Sequence, residues 1–346
     1  MSSPRADLTA TLLLNGKVLI AGGQSTATSD TATADIFDPV ADTLTAANPM
    51  RSARNGHTAT LLADGKVLVV GGSNSPNGPN LASAEIYDPA TNQWSAAASM
   101  VAARGHHAAA LMANGKVLVV GGSEQTAALE VYDHATNTWT SVTAPANDPR
   151  PLGPTATRLQ DGRVMIVGGA NGGAFTVNSD VWLYDPSTGQ LTYSRFHPLS
   201  GGSNFANATL LGDGTVLVTG GESSTTPAGA QNITSLFDPR LETCSSNDCS
   251  SFSYGAPMNV GHCQSTTTTL KNGLLLVVGG RCGSAESIAV CELYDPVAKK
   301  WGPAATLPDS VGYQAAVLLN DGRVLVAGGI HPGGSIGGTT QIYTPA

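Results

Sequence analysis

Charge is scarce in this chain: Asp, Glu, Lys and Arg together make up 12% of its 346 residues. Helices laced with surface ion pairs are therefore not expected. The charge that is present leans acidic, with 17 Lys and Arg against 25 Asp and Glu and a formal net charge of −8. No basic stripe exists to neutralise a phosphate backbone, which excludes nucleic acid as a partner. No apolar run reaches 18 residues, so no membrane-spanning helix is encoded, and the first residues lack a basic segment followed by an apolar one. What abounds is glycine, 41 residues, with Ala, Thr and Ser. This is a β composition.

Cysteines number five. Cys244 and Cys249 lie close together in a Ser/Asn loop, and Cys282 and Cys291 bracket another, which suggests two local disulfides and an extracellular, periplasmic or cell-surface location. Cys263 is left over. Pairing Cys263 with Cys282 instead, leaving Cys291 alone, is the open alternative.

A repeat dominates everything else. Gly-Gly pairs begin at residues 22, 71, 121, 168, 220, 279 and 328, a spacing of 47 to 59 residues. Before each pair stands an Asn-Gly or Asp-Gly turn, as in HTATLLADGKVLVVGG (57–72), between two apolar strands; this dipeptide favours a type I′ hairpin. After each pair come a loop and a short strand with an aromatic: Phe37, Tyr87, Tyr132, Tyr184, Phe237, Tyr294 and Tyr343. Seven residues on, Trp94, Trp139 and Trp301, with Leu44 and Leu191, mark a fourth strand; repeats five and seven lack it in that register. Such a period means a repeat architecture. Four antiparallel strands cannot bury both faces alone, so the units stack around an axis. The expected fold is a seven-bladed β-propeller, one domain over 1–346, with blades near 1–48, 49–97, 98–146, 147–196, 197–254, 255–305 and 306–346.

The Gly-Gly pairs, the spaced Tyr-Asp-Pro and Trp, and the Met50–Arg54 and Met100–Arg104 leads resemble kelch repeats over essentially the whole chain. The last repeat is similar in detail to the final blade of the galactose oxidase-like copper-radical oxidases. That resemblance implies a Tyr-His copper pair in the last blade, where this chain has Tyr313-Gln314. It implies a cross-linked tyrosine in a strand entry of type ARGYQ, where this chain has ARNGH and ARGHH. It also implies a cysteine partner for that tyrosine, which RADLTAT does not offer. The copper-site residues are not retained.

Aligning Lys17 with Lys66 sets Met1 opposite Met50, and the chain stops three residues after Tyr343. One blade is thus three-stranded, or the chain is a monomeric domain excised from a larger protein. The loops after Gly-Gly and the links between blades vary, whereas the turns on the opposite face are short and regular. Binding is expected on the variable face. The candidates there are Arg54, His57, Arg104, His107, Glu222, His262, Arg281, Tyr313 and Gln314. His57 and His107, on adjacent blades, could hold a transition metal; otherwise they brace the neighbouring blade, as the two arginines would. Glu222 and Arg281 are expected to pair. The function read from these residues is a non-catalytic propeller that binds a glycan or protein. The alternative is a metal-dependent oxidase, or an acid/base isomerase or lyase, at the same mouth.

Overall fold

A computed structural model describes the chain except residues 77, 123–128, 143–151, 172–175, 178–180, 195–203, 223–229, 243–250, 282–286 and 346. Seven antiparallel sheets follow one another in chain order, six of four strands and the last of three. In the second sheet, for example, Thr58–Leu61, Val67–Val70, Ala84–Asp88 and Gln93–Ala97 run outward from the axis. The innermost strands of consecutive sheets touch all the way round, and Thr9–Leu12 of the first blade meets Ala315–Leu318 of the last. The fold is a closed all-β propeller.

Each second strand is a run of four buried residues, largely Val, Leu and Ile. The two-residue period divides each strand between two inter-blade cores. Val67 and Val69 pack with Leu19 and Ala21 of blade one, while Leu68 and Val70 pack with Val117 and Val119 of blade three. The same arrangement closes the ring, where Val18 and Ile20 meet Leu325 and Ala327. At the periphery Tyr87–Trp94, Tyr132–Trp139 and Tyr294–Trp301 stack with ring centroids 5.0 Å apart. Each indole N–H reaches the link that follows the preceding blade's outer strand, donating to the carbonyls of Asn48, Ala98 and Ala256. In blade five the outer strand is not lost: Phe252–Tyr254 supplies it after the insertion, and Phe252 stands opposite Phe237.

The hairpin turns differ from type I′. Only their glycines have positive φ, for example Gly16 at 81° and Gly65 at 84°. The Asn or Asp before the glycine keeps negative φ and accepts the N–H two residues on through its side chain, as Asn15 does from Lys17 and Asp64 from Lys66. Gly65 donates to Leu62 and Leu62 to Lys66, a turn closed by a glycine bulge.

The Gly-Gly pairs have a steric reason. A Cβ on Gly71 would stand 2.5 Å from the Arg104 carbonyl, and one on Gly22 would be 2.6 Å from that of Arg54. The second glycine donates to the same carbonyl, Gly72 to Arg104 at 2.9 Å and Gly23 to Arg54 at 2.8 Å. The pair is where one blade's backbone touches the next.

Candidate functional site at the propeller mouth

Where each blade link enters its inner strand, one residue takes the left-handed conformation. These are Asp7, Gly56, His106, Gly153, Phe205, Gln264 and Tyr313, with φ between 50° and 65°. They form a ring around the axis. Backbone N–H groups link it: Asp7 to Tyr313, Gly56 to Asp7, His106 to Gly56, Gly153 to His106 and Phe205 to Gly153, at 2.8 to 3.3 Å. Non-glycine residues are rarely found in this region, and such conformations concentrate at functional sites.

At His106 and Phe205 the side chain leans over the ring residue before it. The His106 imidazole lies so close over Gly56 that a Cβ there would be 2.9 to 3.1 Å from three ring atoms, and Phe205 covers Gly153 in the same way. By crossing Gly56, His106 reaches Asp7, with Nε2 2.9 Å from its carboxylate. The Asp7 charge holds the imidazole above its ordinary pKa. In return, although burial pushes the Asp7 acid up, the His106 charge and hydrogen bond hold it net below the usual carboxylate range. Phe205 meets the imidazole edge-on, with centroids 6.1 Å apart. Burial raises the pKa of the Tyr313 phenol.

Above the ring opens a cavity of about 360 Å³, whose polar lining includes Asp7, His106, Tyr313, Arg281, Asn55 and Gln24. Asn55 donates to Asp30 at 2.7 Å, and burial pushes the Asp30 acid up.

Of the expected residues, Tyr313 and Arg281 line this cavity; the structure places the others elsewhere. Arg54 and Arg104 are fully buried. Each pairs with a glutamate of the third strand, Arg54 with Glu85 at 2.8 Å and Arg104 with Glu130 at 2.9 Å. Each also donates to the first Gly-Gly carbonyl of its blade. Arg5 with Asp35 repeats the arrangement in blade one, and His262 takes the arginine's place in blade six, 3.3 Å from Glu292. All are scaffold braces.

His57 and His107 are buried too. Their Nε2 atoms hydrogen-bond Thr9 and Thr58 of the preceding blade at 3.0 and 2.9 Å, and their rings lie against Gly22 and Gly71. Burial pushes the His57 pKa down to about 3 and that of His107 well down, so both imidazoles are neutral at physiological pH. Gln314 holds the equivalent place in blade seven and donates to Val278 at 2.8 Å. Glu222 bridges Asn204 and Ala230 through its backbone, and no ion pair joins it to Arg281 among the described residues. No cluster of three or more His, Cys, Asp or Glu placed to hold a metal occurs among the described residues.

The cysteine pairing needs correction. Cys291 is a buried free thiol facing the core between blades six and seven, its pKa pushed up by burial to about 11. Cys263 is the disulfide-bonded one, and its partner lies outside the described residues, as do Cys244, Cys249 and Cys282. The site residues that escaped the sequence reading are Asp7 and Asn55, together with the pairing of His106. Register alone marks them, one or two places before Leu8, His57 and His107.

The closed ring of kelch hairpins defines a kelch-type β-propeller. The chain belongs to the KLHDC2/KLHL20/DRC7 Kelch-repeats domain family, whose model matches residues 7–221, and a Kelch motif matches 262–308. Galactose oxidase of Gibberella zeae is 32% identical over 75 residues, 22% of this chain. That match spans a tenth of the relative's length. A solved structure described as a novel fungal alcohol oxidase with catalytic diversity among the AA5 family, in complex with copper, superimposes with a TM-score of 0.78 at 17% identity. It covers 99% of this chain and 75% of that one. No helix among the described residues is long and apolar enough to cross a membrane.

Proposed function

We propose that the chain is an extracytoplasmic binding propeller that takes a glycan or a protein segment into the cavity at its mouth. The observation that carries this reading is the ring. Seven blades each contribute one left-handed residue, six of them joined by backbone hydrogen bonds, and three polar side chains of this ring, Asp7, His106 and Tyr313, line a cavity of ligand size. Holding five non-glycine residues in this conformation costs about 1 kcal/mol or more each, a cost that folding alone does not require, since glycine serves at the other two positions. The disulfide at Cys263 supports an oxidising location.

The relatives raise the question of copper. The donor set here does not fit it. Gln314 is turned into the sheet and bonded to Val278. His57 and His107 are each engaged with a threonine of the preceding blade. A second reading, an acid/base enzyme at the same mouth, is favoured by the Asp7–His106 pair, since a histidine oriented by a carboxylate is a competent proton acceptor.

A glycan array probed with the intact chain and with Tyr313→Ala tests the binding reading. Recognition of at least one glycan class, weakened tenfold or more by the substitution, is the expected outcome. Binding indifferent to Tyr313 removes the ligand from the mouth.

A further inference from the structure

The cavity has a polarity that names its ligand more closely. This step rests on the binding reading above. Three charged side chains line the cavity: Asp7, His106 and Arg281. The first two neutralise each other at 2.9 Å. The Arg281 guanidinium has no carboxylate partner among the described residues, so it is the uncompensated charge of the lining. Its charge bears on Tyr313, whose phenol also feels Asp7 and Glu222. Glu222 is not part of the lining.

Tyr313 adds direction. Its hydroxyl is an O–H donor at the cavity wall, and burial raises its pKa, so it keeps its proton. Arg281 of blade six and Tyr313 of blade seven both line the cavity, and a guanidinium fork with a phenol O–H is a donor set suited to a carboxylate. The other side, blades one and two, carries the neutral groups Gln24, Asn55 and Ser73. Amides and hydroxyls that both donate and accept suit the vicinal hydroxyls of a sugar ring, and a volume of about 360 Å³ is at the scale of a small ligand.

We infer that the propeller mouth recognises an acidic saccharide of the uronic-acid class, its carboxylate held by Arg281 and Tyr313 and its hydroxyls by the blade-one and blade-two side. The charge balance gives a pH dependence. Below the raised pKa of His106 the lining carries one net positive charge, from Asp7, His106 and Arg281; above it the lining is neutral. The other groups that act on the imidazole are Asp30, which adds to the Asp7 effect, and Phe205, which is uncharged. Affinity for an anion therefore falls as pH rises through that pKa.

The test is calorimetric titration of the full chain with trigalacturonate and with its fully methyl-esterified form. The acid is expected to bind at least tenfold tighter, and Arg281→Gln to abolish that preference without changing the melting temperature. Tyr313→Phe, which keeps the ring and removes only the donor, is expected to weaken the acid severalfold. Equal binding of acid and ester, lost in Tyr313→Ala, overturns the uronate assignment and leaves the binding reading standing. Tetraglutamate bound in preference to trigalacturonate overturns the saccharide assignment. Failure of all three probes overturns the inference, and a blank glycan array alongside removes the binding reading as well.

Discussion

At the scale of single residues, the histidines divide by what surrounds them. His57 and His107 sit in the scaffold, and desolvation keeps them neutral. In the unfolded chain they titrate near 6.5, so the native contribution is fully present above that pH and is lost as pH falls towards the folded value of about 3 for His57. His57 adds a slope of about 1.4 kcal/mol per pH unit in that window, and His107 acts in the same direction. His57→Gln, which copies blade seven, is expected to fold and to flatten the fall in unfolding free energy between pH 6.5 and 4. An unchanged slope in denaturant titrations contradicts the burial argument. The buried arginines answer to a different rule. Arg104→Ala leaves Glu130 charged and buried, at a cost of about 3–5 kcal/mol. Replacing both partners by apolar residues of similar size is expected to cost far less, and a double-mutant cycle measures the difference.

At the scale of elements, the hairpins, the Gly-Gly pairs and the Tyr-Trp stacks were legible because each is made by residues close together in the chain or repeated at a fixed interval. The Asp7–His106 pair was not, since its members are 99 residues apart and meet only because both adopt a conformation that neither Asp nor His announces. Blade five hid its outer strand for a related reason: the insertion displaced Phe252 from the spacing at which Trp94 and Trp139 are found. The turn type was misjudged because an Asp side chain that accepts the N–H two residues on stabilises negative φ at its own position, leaving only glycine to turn over. Gly56 is the element on which the mouth depends. Gly56→Ala puts a methyl group against three imidazole atoms at a φ of 56°, and is expected to push His106 off Asp7. Its pKa, followed by NMR, then falls back towards 6.5, while the fold loses about 1–2 kcal/mol. A His106 pKa that stays raised shows that the glycine is not what admits the pair.

For the molecule as a whole, closure depends on the seam between the first and last blades. Blade seven has three strands among the described residues, yet the seam keeps a full inter-blade core through Leu325 and Ile20 and a ring bond from Asp7 to Tyr313. Leu325→Ala is therefore expected to cost about 2–5 kcal/mol, as much as Leu68→Ala between blades two and three, and to leave unfolding a single transition. A separate early transition for blade seven, seen by calorimetry, contradicts a seam of equal strength.

The ring of left-handed residues separates two tasks that most proteins must solve with the same atoms. Its main chain joins blades, whereas its Asp7, His106 and Tyr313 side chains face the cavity, and glycine works at two positions as well as tyrosine or aspartate at others. A codon library limited to positions 7, 56, 106, 153, 205, 264 and 313 would thus rewrite the chemistry of the mouth while leaving the stacked sheets untouched, with each glycine acting as a blank that decides how far its neighbour can reach.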